Sequence, residues 1–298
     1  MTSGQTPTNP IVFFGTEDFS LYSLRALVSR GYHVAAVVTK PDTKRGRGHK
    51  LTEPAVKLFA REQDIPVWQP TRLRDIAEDI RKLQPAGVLV SYGKIIPQAI
   101  IDLFEPGIIN VHPSLLPLYR GPSPIEAAIL ARDDETGVSI MQLTREMDAG
   151  PVYAQQKYSL DGTETQSSLY EALGNRGADM LVDTLPAILS GELTPTPQDD
   201  SAATYCRLLS KETSWLDTKT MTAAEAEAQI RAYEIFPRTR YDLDGQTIII
   251  TRAHVTDSPS HALTLAFHDG SILEIDELIA PSGKKISAQD FLRGYRVH

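Results

Sequence analysis

The sequence predicts a doubly wound α/β domain followed by a smaller β-barrel domain. Short β-branched runs alternate with helical patterns in the first half, and alternating strands with Asp-Gly turns fill the last quarter. At 298 residues, the chain is also long for a single hydrophobic core. We therefore expect a first domain over residues 1–190, a linker over 191–211 and a second domain over 212–298.

The predicted strands of the first domain are mostly short β-branched runs, and the helices between them place apolar residues three or four positions apart. The predicted strands cover residues 11–15, 34–38, 86–91, 108–112, 137–143 and 152–160. The predicted helices cover residues 18–29, 53–63, 72–82, 97–104, 124–131 and 166–189. This alternation favours a parallel, Rossmann-like sheet with helices on both faces.

The composition changes where Ser190-Gly191 ends the last of these helices. Pro195 and Pro197 then favour an extended linker. A helix over 223–233 precedes predicted strands at 247–255, 262–267 and 272–278, with Asp-Gly turn signals between them. This second pattern indicates a small, OB-like β-barrel.

Composition narrows the possible functions. No apolar run reaches the roughly 18 residues that span a bilayer, and the polar N-terminus carries no targeting pattern, so we expect a cytoplasmic protein without membrane contact. The single cysteine, Cys206, excludes an internal disulfide and a cysteine-based zinc site. A net charge of −8 argues against general polyanion binding, so nucleic-acid contacts must be local. The expected oligomeric state is a monomer, which the sequence itself does not fix.

The strand at 108–112 carries the most reactive pair of side chains. Asn110 and His112 are two positions apart, so they project from one face of the strand. They stand at its carboxyl end, where open α/β sheets bind ligands. Taken alone, an Asn-x-His pair is more often a histidine with satisfied hydrogen bonds at a strand end. No glycine-rich dinucleotide loop or P-loop accompanies the pair.

The surrounding residues place this pair in a longer motif. The letters NVHPSLLP begin at Asn110, and Asp148-Ala149-Gly150 follows, with Asp148 lying 36 positions after His112. This arrangement resembles the folate-dependent formyltransferases, and the resemblance extends through the whole chain. Pro113 departs from the Gly or Ala that is common in the family, as Phe236-Pro237 departs from its Trp-Pro, but neither change removes a reactive group.

The resemblance implies transfer of a formyl group from 10-formyltetrahydrofolate to an amine, without a metal. Asn110 and His112 would donate hydrogen bonds to the oxygen that becomes negative, and Asp148 would accept a proton from the amine. The pterin would lie along one loop and against the backbone of a second. These loops contain Ser114, Leu115, Leu116 and Pro117 in the first, and Ser91, Tyr92 and Gly93 in the second.

A basic loop over residues 40–50 bears on the identity of the amine. It holds five Lys or Arg residues against one Asp and resembles the Gly-Arg-Gly insertion of methionyl-tRNA formyltransferases. The resemblance implies methionyl initiator tRNA as partner, with phosphate contacts from cationic residues of this loop, the linker and the closing loop. These residues are Lys44, Arg45, Arg47, Lys50, Lys211, Lys284 and Lys285.

Two alternatives remain open at this level. The chain could be a nucleotide-sugar N-formyltransferase with an appended β-domain, or a binding protein that has lost catalysis. The basic loop argues against the first alternative, and the complete Asn, His and Asp set argues against the second. Three histidines at spacings of seven, His254, His261 and His268, lie in a predicted β region, where such spacing does not assemble a zinc site.

Overall fold

The computed structural model describes residues 9–45, 50–260 and 263–294. The strands are β1 Ile11–Gly15, β2 Val34–Val38, β3 Thr43–Arg45, β4 Lys50–Thr52, β5 Val67–Trp68, β6 Ala86–Val90, β7 Ile108–His112, β8 Glu135–Gln142, β9 Val152–Ser159, β10 Arg240–Leu243, β11 Gln246–Val255, β12 Thr264–Ala266, β13 Ile272–Ile279 and β14 Lys285–Ser287. The helices are α1 Ser20–Ser29, α2 Ala55–Glu62, α3 Ala77–Leu83, α4 Gln98–Ile101, α5 Pro124–Ala131, α6 Gln166–Leu189, α7 Ala223–Ala232 and α8 Ala288–Gly294.

Seven strands form the larger sheet, in the order β5-β2-β1-β6-β7-β8-β9. Strands β5, β2, β1, β6 and β7 pair in parallel, which confirms the predicted α/β fold. The chain winds outward in one direction from β1 and in the other from β6, so the sheet has its switch point between these two strands. Every residue of β1 and β7 is buried, as central strands covered on both faces require.

Strand β8 runs antiparallel to β7, so the sheet is mixed rather than wholly parallel. The alternation of strands and helices suggested parallel pairing throughout, and for this strand that expectation was wrong. Apolar runs report that a strand is buried and do not report its direction. Direction depends on how the chain returns to the sheet, which only the tertiary fold determines.

The chain forms two compact units that are each assembled from separate segments. The first comprises residues 1–122, 136–158 and 170–205, and the second comprises 123–135, 159–169 and 206–298. Helix α5 packs against α7 within the second unit. The division predicted at residues 190 and 212 remains a prediction for the domains as folding units.

The second unit contains a five-stranded antiparallel sheet that curls as a half-barrel. Helix α7 begins with a capping box in which Thr222 and Glu225 bond each other's backbone N–H groups, and it packs on β11 and β13. The core of the second unit includes Ile248, Leu273 and Phe291, none of them more than 1% exposed. Strands β10 and β14 and helix α8 are too short for the periodicity to have predicted them. In the described parts of the chain, no helix is long and apolar enough to cross a bilayer.

Candidate active site

Strand β7 places both predicted oxyanion donors at the centre of the larger sheet. It lies between β6 and β8, with Asn110 opposite Met141 and His112 opposite Ser139 of β8. Asn110 and His112 are 5% and 4% exposed. Both are therefore held on a fully buried strand, with little freedom to move and little competition from solvent.

The contacts of His112 define the charge pattern of the site. Its Nε2 lies 3.0 Å from the backbone oxygen of Tyr119. Because a carbonyl oxygen can only accept, Nε2 carries the hydrogen of this bond. The other ring nitrogen, Nδ1, lies 3.7 Å from Oδ2 of Asp148. In the neutral ring, Nδ1 and the carboxylate are both acceptors, so they converge on a position suited to an N–H donor.

Asp148 stands in a loop after β8 whose shape depends on the following glycine. A Cβ atom at Gly150 would overlap the Gln142 backbone oxygen, so only glycine at this position allows the close approach of the two segments. Asp148 itself has a φ of 51°, in the left-handed region that Asp and Asn tolerate better than most residues. Its Oδ2 accepts a hydrogen bond of 2.8 Å from the backbone N–H of Gly121.

The Asn110 amide differs from the His112 ring in its hydrogen bonding. Within the described ranges, the Asn110 side chain makes no hydrogen bond to another protein group. Its N–H donors are therefore available to a ligand, whereas the Nε2 hydrogen of His112 is committed to Tyr119. For His112 to donate as predicted, it would have to use a hydrogen on Nδ1, next to Asp148.

The loop after β7 is fixed by buried hydrogen bonds. Ser114 is fully buried, and its hydroxyl donates to the Leu118 oxygen at 2.6 Å. The Ser139 hydroxyl donates to the Ser114 oxygen at 2.6 Å, and the Gln155 amide donates to the Leu116 oxygen at 2.7 Å. The Ser114 hydroxyl and the buried Leu116 thus support the loop from within. Half-buried Leu115 and Pro117 remain the predicted folate contacts with accessible surface.

The predicted second folate loop follows β6, at the switch point of the sheet. The Ser91 oxygen accepts bonds of 3.3 Å from the N–H groups of Thr16 and Glu17, and the Thr16 hydroxyl donates to the Tyr92 oxygen at 3.0 Å. Tyr92 is 1% exposed, and this burial raises the pKa of its phenol to about 12. Gly93 is exposed, with the Lys40 ammonium beside it. The edge of this loop is therefore accessible at Gly93, while the Tyr92 side chain belongs to the core.

The predicted basic loop forms a hairpin of β3 and β4, closed by pairing of Thr43 with Thr52. Arg47, the favoured tRNA contact, lies outside the described residues, and for Lys44, Arg45 and Lys50 the structure describes the backbone alone. The favoured role of Arg47 in binding tRNA stays a prediction.

A lysine of α2 joins the two ends of this hairpin. Lys57 Nζ lies 2.7 Å from Oδ2 of Asp42, which precedes β3, and 2.8 Å from Oε1 of Glu53, which follows β4. Both carboxylates raise the pKa of Lys57, and the same ammonium lowers the pKa of Glu53. The pKa of Asp42 is lowered first by its hydrogen bond with Gln69 and then by Lys57. Two ion pairs that share Lys57 thus hold the base of the hairpin.

The remaining predicted tRNA contacts, Lys211, Lys284 and Lys285, are exposed residues of the second unit. Lys285 Nζ lies 2.7 Å from Oε2 of Glu277, and this contact lowers the pKa of Glu277. A phosphate would have to compete with that carboxylate for Lys285. Lys284 makes no ion pair with any other described residue.

Among residues 9–45, 50–260 and 263–294, no three His, Cys, Asp or Glu side chains gather as a metal site. His261 lies outside these ranges. His254 Nδ1 lies 3.2 Å from Asp276 and is half exposed, as in an ordinary surface ion pair. The prediction that the protein uses no metal is left as a prediction.

The predicted linker makes a set of contacts that the sequence did not predict. Thr196 and Val152 exchange two backbone hydrogen bonds of 2.8 Å, and the Arg120 N–H donates to the Thr204 oxygen at 2.9 Å. Gln198 Nε2 bonds the backbone oxygens of Asp148 and Gly150. Residues 196–205 are therefore an integral part of the first unit. Proline and polar composition predicts an extended chain but does not indicate what that chain binds.

Known proteins similar to this chain are formyl transferases. A profile described as Formyl transferase matches residues 9–185, and one described as Formyl transferase, C-terminal domain, matches residues 208–296. The methionyl-tRNA formyltransferase of Halorhodospira halophila is 40% identical over 301 residues, covering 96% of both chains. That of Pelobacter propionicus is 38% identical over 297 residues, covering 95% of this chain and 92% of its own.

Solved structures share the fold at lower identity. The sugar 3N-formyltransferase WlaRD aligns with a TM-score of 0.64 at 18% identity, covering 90% of this chain and 97% of its own. HypX from Aquifex aeolicus, solved with tetrahydrofolic acid, aligns with a TM-score of 0.66 at 16% identity. That alignment covers 98% of this chain and 49% of HypX. The similarity to full-length relatives and the two profile matches confirm the resemblance seen in the motifs: the chain belongs to the methionyl-tRNA formyltransferase family of formyl transferases.

Proposed function

We propose that this protein transfers the formyl group of 10-formyltetrahydrofolate to the amino group of methionine on initiator tRNA. The observation that carries the proposal is the convergence of Asp148 and His112 Nδ1 on one position, beside a strand whose Asn110 amide is uncommitted. Full-length similarity to methionyl-tRNA formyltransferases supports the choice of acceptor. We further propose that it acts as a cytoplasmic monomer without a metal.

Asp148 accepts the proton in this mechanism. The attacking amine must lose a proton as its nitrogen bonds the formyl carbon, and a positioned carboxylate contributes on the order of 10²–10⁴ to such a step. The Gly121 N–H fixes one carboxylate oxygen, and Asp148 is 14% exposed, so the group is both oriented and partly shielded from water. Protein donors thus position the base before the substrate arrives.

Asn110 and His112 stabilise the formyl oxygen as it becomes negative. The Asn110 amide has free donors on a buried strand, and each donor of this kind contributes about 10²–10³ in rate. His112 Nδ1 lies 3.7 Å from Asp148, and the ring would donate to the same oxygen when this nitrogen carries its hydrogen. The carbon to folate nitrogen bond then breaks, and the folate nitrogen takes up the proton that Asp148 accepted from the amine, so no covalent enzyme intermediate is required.

The acceptor is the part of the proposal that a single assay tests best. The purified protein would be incubated with 10-formyltetrahydrofolate and, in parallel, methionyl initiator tRNA, methionyl elongator tRNA or a nucleotide-linked amino sugar. We expect formylmethionine on the initiator tRNA, with much slower reaction of the other two acceptors. Formylation of the amino sugar alone would overturn the proposed acceptor and favour a sugar N-formyltransferase.

A further inference from the structure

Gln198 lies between a buried arginine and the loop that carries Asp148. Two guanidinium nitrogens of Arg120 donate to Gln198 Oε1, Nε at 3.0 Å and Nη2 at 2.8 Å. The Gln198 amide nitrogen donates to the backbone oxygens of Asp148 and Gly150, each at 2.7 Å. Donors therefore face the amide oxygen and acceptors face the amide nitrogen, which fixes one orientation of the side chain. We propose that Gln198 is a positioning residue for the catalytic carboxylate of Asp148.

The contacts form a closed circuit around Asp148. Gln198 holds its backbone, the Gly121 N–H holds its carboxylate, and Gly121 is covalently joined to Arg120, which binds Gln198. Arg120 is 2% exposed and is fixed further by a bond of 2.6 Å to Asp200. Arg120 is thus connected both to the support of the Asp148 carboxylate, through Gly121, and to the support of the Asp148 backbone, through Gln198.

Asp148 needs such support because of its backbone conformation. Its φ of 51° is less favourable than a right-handed conformation even for aspartate, and surrounding contacts hold such a conformation in place. Gln198 donates to the carbonyls of Asp148 and Gly150, the residues on either side of Ala149. Without these two bonds, the loop can relax and move the carboxylate away from the position it shares with His112.

The substitution Gln198→Glu distinguishes the contact of this side chain with the Asp148 loop from its contact with Arg120. A carboxylate would keep both acceptor contacts with Arg120 and add an ion pair. It would also replace the amide donor with an oxygen facing two backbone oxygens, because an ionised carboxylate has no hydrogen to donate. Gln198→Glu therefore preserves the arginine contact and removes support from the Asp148 loop.

The proposal rests on the proposed formyl transfer, so activity is measured as a ratio to the parent enzyme. We expect Gln198→Glu and Gln198→Ala each to lower kcat for methionyl-tRNA formylation by about 10- to 100-fold, since a misplacement near 1 Å can cost about 10²-fold. The KM for 10-formyltetrahydrofolate should stay within about threefold, because the side chain positions the base rather than the substrate. Ser201→Ala, an exposed change in the same segment, is the matched control.

Hydrogen exchange provides a second measurement that does not depend on activity. Amides of residues 145–151 should exchange faster in Gln198→Glu than in the parent protein, while Ser201→Ala should leave them unchanged. A parent enzyme without formylation activity would contradict the proposed function, and the exchange result would still test the loop contact. Near-normal kcat in Gln198→Glu, or unchanged exchange in residues 145–151, would overturn the positioning role.

Discussion

Asp148→Asn removes the charge of the carboxylate that we propose as the base and keeps its position. Asparagine has the same size and also tolerates the left-handed conformation at φ 51°. Its side-chain oxygen can still accept the Gly121 N–H, which bonds Asp148 at 2.8 Å in the parent protein. Asp148→Ala would remove this bond and place alanine in a left-handed conformation that costs roughly 1–2 kcal/mol. The asparagine variant is therefore the cleaner perturbation.

The expected loss of activity follows from the proposed role of the Asp148 carboxylate as a proton acceptor. A positioned general base contributes about 10²–10⁴ in rate, which corresponds to about 3–5 kcal/mol of activation free energy. The fold contributes little to this difference, because Asp148 is a loop residue whose backbone bonds to Gln198 do not involve the carboxylate. We expect kcat to fall by at least about a hundredfold and the midpoint of thermal unfolding to change little.

Single-turnover formylation of methionyl initiator tRNA, with enzyme in excess, would measure the chemical step directly. Folate affinity measured on the same variant by calorimetry should remain near that of the parent protein. Asp199→Asn, an exposed change in the neighbouring 196–205 segment, serves as the control. A chemical rate within about threefold of the parent enzyme would show that Asp148 is not the base.

Three further outcomes are expected from the structure. Lys57→Met should lower tRNA-dependent turnover several-fold without changing folate affinity, because it removes the ion pairs that hold the base of the hairpin. Equal losses of turnover and of folate affinity would contradict this. Lys284→Ala should reduce the slope of log tRNA affinity against log salt by about one unit, and Lys285→Ala by less, since Lys285 already has a carboxylate partner; equal reductions would refute the difference. Gly150→Ala should destabilise the protein by about 1–3 kcal/mol in denaturant unfolding, because its Cβ would overlap the Gln142 oxygen; an unchanged unfolding midpoint would refute the close approach.

The sequence by itself determined the buried strands and the reactive motif. Short runs rich in apolar residues placed β1, β2 and β7 at their observed bounds, because strands covered on both faces are mostly apolar. The two-residue spacing of Asn110 and His112 placed them on one face of β7 through the alternation of a strand. The family followed from the same segment, because these residues and Asp148 stand in an extended motif.

The tertiary structure decided which groups support that motif and which remain available to a ligand. Gln198 bonds the backbone of a residue 50 positions away, and no local pattern records such a distant contact. Ser114 fits a ligand loop by sequence, yet its hydroxyl bonds Leu118 in the interior, because the turn after β7 faces it inward. The direction of β8 and the pairing of Lys285 with Glu277 likewise depend on how separate segments meet. Sequence periodicity reports burial along one element, whereas these contacts depend on the packing of several elements.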